Sequence, residues 1–105
     1  MDTKHKRVIH AVGVLFYSRA TNRNLYLLRN DRSNDWGLPG GKVEVKETLR
    51  EALARECQEE ISFWNDDIKL YPLDCYRSND EQFQYHTFFA HMLDVVPMLK
   101  LRCCM

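Results

Sequence analysis

The sequence predicts a single α/β (α+β) domain, and three observations carry that expectation. One stretch beginning at Thr48 shows an apolar stripe at helical spacing behind a capping box, strand-length runs of β-branched and aromatic residues lie on both sides of it, and a chain of 105 residues has room for one core. Hydrophobic residues make up 45% and charged residues 29%, the balance of an ordinary globular domain, which excludes a disordered chain or a membrane protein. Fifteen Lys and Arg offset fifteen Asp and Glu. That leaves no cationic excess to neutralise phosphates, so neither duplex nucleic acid nor an anionic membrane surface is expected as a partner. The longest apolar stretch, residues 11–17, is far short of the ~20 residues that span a bilayer.

Taken in order, residues 8–17 read as a strand rich in Val, Ile and Leu, with Gly13 as a bulge. Turn-prone residues 18–24 follow, and the apolar run 25–28 reads as a second strand, giving an antiparallel hairpin with the first. Residues 30–41 shift to Asn, Asp, Ser, Pro and Gly, the chemistry of a loop, in which Trp36 and Leu38 have apolar surface to bury. Thr48 and Glu51 form a T-x-x-E capping box, and Leu49, Leu53, Cys57 and Ile61 recur every four residues, which predicts a helix. Residues 68–76 and 83–93 read as strands around a turn at Ser78, Asn79 and Asp80.

The chemistry is concentrated between Gly40 and Phe63. On a helix, Glu56, Glu59 and Glu60 fall within an arc of roughly 100°, beside the apolar stripe. Like charges three and four residues apart destabilise a helix by ~0.2–0.5 kcal/mol per pair unless a cation binds them. With hard oxygen donors and no thiolate or imidazole in the cluster, the expected cation is Mg²⁺, with Mn²⁺ as a substitute, rather than Zn²⁺. The reaction class that follows is phosphoryl chemistry, in which a metal screens phosphate oxygens and a carboxylate takes the proton of the attacking water. Arg55 lies within reach of Glu47, a pairing that would fix the loop against the helix and orient the neighbouring carboxylates. Gly40 and Gly41 allow the backbone to approach a metal or phosphate closely.

Glu-rich helices are usually only solvated faces. Here six fixed positions, at ~6–7% usage each, would coincide by chance on the order of once in 10⁷ starts. Residues 41–63 resemble the Nudix box, G-x5-E-x7-R-E-U-x-E-E-x-G-U with U a bulky aliphatic residue, and Trp36, Pro39 and Gly40 resemble its W-x-x-P-G lead-in. The resemblance covers about a fifth of the chain. It implies the Nudix fold, a mixed β-sheet sandwiched between helices, and hydrolysis of a nucleoside diphosphate linked to another moiety. It also implies that Glu56, Glu59 and Glu60 bind the metal or activate water, that Glu47 and Arg55 shape the site, and that a carbonyl at Gly40 or Gly41 adds a ligand. Two box positions depart: Cys57 replaces an aliphatic residue, and Ser62 replaces the glycine past the helix, at a cost of ~1 kcal/mol if the position is left-handed.

Outside the box, Arg29 and Arg32 are candidates for substrate phosphates, Trp36 and Tyr85, with Tyr17 and Phe83, for a nucleobase, and Glu81 for a base. His86 and His91 have opposite strand parity, which argues against their sharing a metal, and His10 carries no expected role. Cys57, Cys75, Cys103 and Cys104 include no C-x-x-C pair, and no secretory signal pattern precedes them, so free thiols in a reducing cytoplasm are expected. Residues 1–105 are expected to form one domain whose final strand and helix are reduced or missing. The apolar residues Val95, Val96, Met98, Leu99 and Leu101 are then expected to pack on the sheet or in a homodimer interface. The competing reading is a Nudix-fold domain that senses a nucleotide without cleaving it.

Overall fold

The computed structural model describes residues 8–28 and 36–92. At its centre is strand β1 (Ile9–Ser18), whose alternation buries Val12, Val14 and Phe16 on one face. β1 pairs in parallel along its whole length with the last described strand, β7 (Phe83–Met92), in a register running from Ile9 opposite Phe83 to Ser18 opposite Met92. β6 (Leu70–Arg77) lies antiparallel on the far side of β7. On its other edge β1 takes two short antiparallel partners, β5 (Gly40–Lys42) against Ala11, Val12 and Gly13, and β2 (Arg23–Asn24) against Tyr17 and Ser18. The result is a mixed five-stranded sheet, beside which β3 (Leu27–Leu28) and β4 (Trp36–Gly37) form a separate antiparallel pair.

Helix α1 (Leu49–Ile61) lies across β1 and β5 and closes the core with Ala52, Leu53, Cys57 and Ile61 against Val12, Val14 and Phe16. The start of α1 follows directly from sequence. The Thr48 hydroxyl accepts from the Glu51 amide at 3.0 Å and the Glu51 carboxylate accepts from the Thr48 amide at 2.9 Å. At the other end Ser62 adopts φ 56°, ψ 36°, the left-handed conformation that a glycine would take without cost. Arg50 then pins the returning loop to the helix. Its Nη2 donates to the carbonyls of Asp66 at 2.7 Å and Ile68 at 2.6 Å, and its guanidinium lies 5.4 Å from the Trp64 ring centroid.

Three sequence expectations are corrected. The hairpin partner of β1 is Arg23–Asn24, continued by the Leu25 amide, which donates to the Phe16 carbonyl at 3.0 Å, whereas Leu27–Leu28 pair with Trp36–Gly37. Residues 30–41 are not wholly loop, since β4 and β5 fall within or at the end of that stretch. Gly13 sits in regular register rather than in a bulge. Its missing Cβ leaves space for the Tyr85 hydroxyl, while the irregularity lies between Pro72 and Asp74. Among the described residues one helix covers one sheet face. The expectations for the apolar segment 95–101, for Arg29 and Arg32 and for Cys103 and Cys104 fall outside the described residues.

The two ends of α1 make opposite predictions. Ser62→Gly should raise stability by ~1 kcal/mol and Thr48→Ala should lower it by ~1 kcal/mol, both read from urea unfolding midpoints. Destabilisation by Ser62→Gly would mean that the serine side chain contributes more than its backbone strain removes.

Candidate active site

The site is built where α1 crosses β5. Gly40 has φ 150°, and a Cβ there would collide with the Val12 carbonyl and lie 2.8 Å from the Gly13 Cα, so only glycine lets β5 press this closely on β1. Its amide donates to Glu60 Oε1 at 3.0 Å. At Gly41 a Cβ would lie 2.5 Å from Glu56 Oε2 and 2.6 Å from its carboxyl carbon. Two adjacent glycines thus seat two helix carboxylates, one through an amide and one through an empty Cβ position.

Arg55 organises the rest. Its Nε and Nη2 grip Glu47 with a two-pronged contact at 2.8 and 2.9 Å, Nη2 also donates to the Lys42 carbonyl at 3.0 Å, and Nη1 donates to Glu56 at 2.9 Å. The carboxylates of Glu44 and Glu59 each stand 3.8 Å from Nη1. Side-chain exposures of 25% for Arg55, 18% for Glu47 and 15% for Glu56 set this network apart from an ordinary surface ion pair, whereas Glu59 is 60% exposed. The Arg55 hydrogen bond, helped by the amide of Glu44, lowers Glu47 from 4.5 to about 2, and the same bond raises the Arg55 pKa. The Cys57 thiol is pushed up to about 12 by burial and by the nearby charges of Glu60 and Glu56, so it serves as core filling and not as a nucleophile.

The sequence places the three helix carboxylates on one helix face. On that face Glu60 is seated on Gly40, Glu56 is shared between Gly41 and Arg55, and Glu59 projects to solvent. Among the described residues no three His, Cys, Asp or Glu side chains are gathered at metal-binding geometry. The donor set itself fits a hard divalent cation: carboxylate oxygens only, over the pair of glycines that opens β5.

Other candidates fall in different places. Tyr85 crosses β7 on the sheet face away from α1, its hydroxyl packed over Gly13, the register partner of Gly40. Trp36, on β4, is 53% exposed. Glu81 has φ 61° in the turn between β6 and β7, next to the start of β1, where the Ile9 amide donates to the Gln82 carbonyl. At a rise of ~3.3 Å per residue, the rungs from Ile9 to Gly13 put more than ~10 Å of strand between that turn and the glycines. Sequence reading missed the Lys42 carbonyl and Glu44, because both reach Arg55 through the fold of β5 and the loop after it.

Stability should track the Glu47 carboxylate. Its pKa is lowered on folding, so the contribution of the pair is present above pH 4.5 and is lost as pH falls from there toward 2. A double-mutant cycle on Arg55→Ala and Glu47→Ala should show the double variant little worse than either single one. Additive losses in thermal unfolding would contradict this coupling.

The NUDIX domain family model matches residues 8–100. A search of curated proteins gave no significant match. Among solved structures, the chain is similar to an Escherichia coli dihydroneopterin triphosphate pyrophosphohydrolase, with TM-score 0.71 and 19% identity over 95% of this chain and 80% of that one. It is also similar to a Caenorhabditis elegans Ap4A hydrolase, with TM-score 0.64 and 20% identity over 87% and 74% of the two chains. A third similar structure is the NUDIX domain of Shewanella oneidensis NrtR, complexed with ADP ribose, with TM-score 0.67 and 18% identity over 99% and 74%. At these identities the structural likeness establishes the fold, and the family model establishes membership. The chain belongs to the NUDIX domain family.

Proposed function

We propose that this chain is a Mg²⁺-dependent pyrophosphohydrolase that cleaves a nucleoside diphosphate linked to another moiety by attack of water on phosphorus, with Mn²⁺ able to substitute. The observation that carries this reading is the pairing of Glu56 and Glu60 with the bare Gly40–Gly41 backbone, beside the solvent-facing Glu59. Glu56, Glu59 and Glu60 would between them hold the ion and supply the base, with a carbonyl of Gly40 or Gly41 as a further ligand. When bound, it screens phosphate oxygens and acidifies a water molecule. The protein's own part is positional. Arg55 fixes the pitch of Glu56 against the loop through Glu47 and Lys42, and the carboxylate left unbound by metal takes the proton of the attacking water.

For substrate, an ADP-ribose, a dinucleoside polyphosphate or a (d)NTP fits the proposal. The similar structures support this breadth without selecting among them, since their own ligands and substrates differ. Tyr85 and Trp36 are proposed to contact the base, and Arg29 and Arg32 the phosphates. We take the protein to act in the cytoplasm as one domain, without duplex nucleic acid or membrane as partner and with a homodimer as its candidate assembly. The described residues include no helix long and apolar enough to cross a membrane.

The alternative reading is a nucleotide sensor with little hydrolysis. Product release from ADP-ribose, diadenosine polyphosphates, nucleotide sugars and (d)NTPs, with and without Mg²⁺, separates the two. Hydrolysis that needs Mg²⁺ or Mn²⁺ and is not improved by Zn²⁺ is expected. Glu59→Gln and Glu60→Gln should each lower kcat by at least ~10²-fold with folding intact. Tight nucleotide binding without turnover across the panel would establish the sensor instead.

A further inference from the structure

A second cluster of titratable groups lies away from the carboxylates, at the sheet's centre. His10 on β1 and His86 on β7 meet with Nδ1 of one 3.0 Å from Nε2 of the other. Their ring planes differ by 23° while the centroids are 5.2 Å apart, so the rings meet edge to edge along the N···N line rather than face to face. A neutral pair, or a pair sharing one extra proton, keeps one N–H donor aimed at one lone pair. With both rings charged, two N–H groups face each other and no acceptor remains.

We propose that the His10–His86 pair is a proton-sensitive latch on the β1–β7 pairing, closed when at most one ring is charged and weakened when both are. The surroundings oppose the second charge. Cys75 on β6 stands in register with His86, and Arg77 on β6, in register with Gln84, lies on the same face and adds positive charge. From β5, Lys42 pairs with Ala11 and so lies on the opposite sheet face, and the next residue, Val43, is apolar. On α1, which packs on β1 and β5, Arg55 and Glu56 are engaged with each other. Burial first, then His10 and Arg77, lower the His86 pKa below 6.5. Because the unfolded chain then takes the proton first, stability falls as pH drops below 6.5, a window separate from that of Glu47.

The latch sits one rung from the site. The His10 carbonyl accepts from the Val43 amide at 2.8 Å, and Val43 directly follows β5, whose Lys42 carbonyl holds Arg55. Weakening the β1–β7 pairing there frees the base of the strand that seats Glu56 and Glu60.

The test uses the full chain as wild type, His10→Gln and His86→Gln. Thermal unfolding is followed between about pH 7.5 and about pH 5, and the imidazole nitrogens of the wild type are titrated by NMR. Two separated protonation steps are expected, the second below the ordinary histidine value. The acid loss of Tm should be larger in the wild type than in either variant by about 4 °C or more, with faster exchange of the Val43 amide at the acid end. Independent titration of both rings near the ordinary value would overturn the proposal. So would an acid Tm loss unchanged in both variants. If a variant does not fold, the wild-type titration alone decides.

Discussion

One guanidinium holds this site together. Arg55 bonds to Glu47 in the loop, to the Lys42 carbonyl at the end of β5 and to Glu56 on its own helix, so loop, strand and helix share a single fixed point. Four carboxylates stand within 4 Å of it, at Glu44, Glu47, Glu56 and Glu59. Without that cation, the helix would carry its acidic face against an acidic loop, and the separation between α1 and β5 would have no electrostatic reason to stay small. The fork geometry matters as much as the charge, because a lysine offers no pair of parallel N–H groups to Glu47.

The second constraint is the pair of glycines that opens β5. Gly40 has to approach the Val12 carbonyl, and Gly41 has to leave room for the Glu56 carboxylate. Both requirements act on the same three-residue strand, which is held to β1 in antiparallel register. On the β5 side, Glu56 and Glu60 therefore meet glycines rather than side chains. An oxygen-only donor set over exposed peptide groups suits a hard cation and a phosphate far better than it suits zinc.

The sheet puts its strongest pairing where the site needs rigidity. β1 is hydrogen-bonded on both edges, with β7 on one side and β5 and β2 on the other, so the strand that carries Val12 and Gly13 is the best-buried in the fold. Among the described residues β6, by contrast, is an edge. Its Pro72 and the register shift before Asp74 interrupt the open row of backbone groups that would otherwise invite another strand. The exposed Tyr71, Leu73 and Tyr76 lie on this edge strand.

Local chemistry determined what the sequence by itself could reveal. The capping box at Thr48, the stripe from Leu49 to Ile61, the clustering of Glu56, Glu59 and Glu60 and the reach of Arg55 to Glu47 all depend on residues within a few helical turns of one another. The left-handed Ser62 also follows from its position just past the helix. What only the tertiary structure decided involves residues far apart along the chain. It turned part of an apparent loop into β5, withdrew residues 27–28 from the hairpin, set Gly13 under Tyr85 and brought His10 to His86 across a parallel pair. It also set Glu60 on the Gly40 amide and Glu56 against Gly41. Parallel pairing between distant strands leaves no local signal of its register, because no turn joins the two strands to fix it.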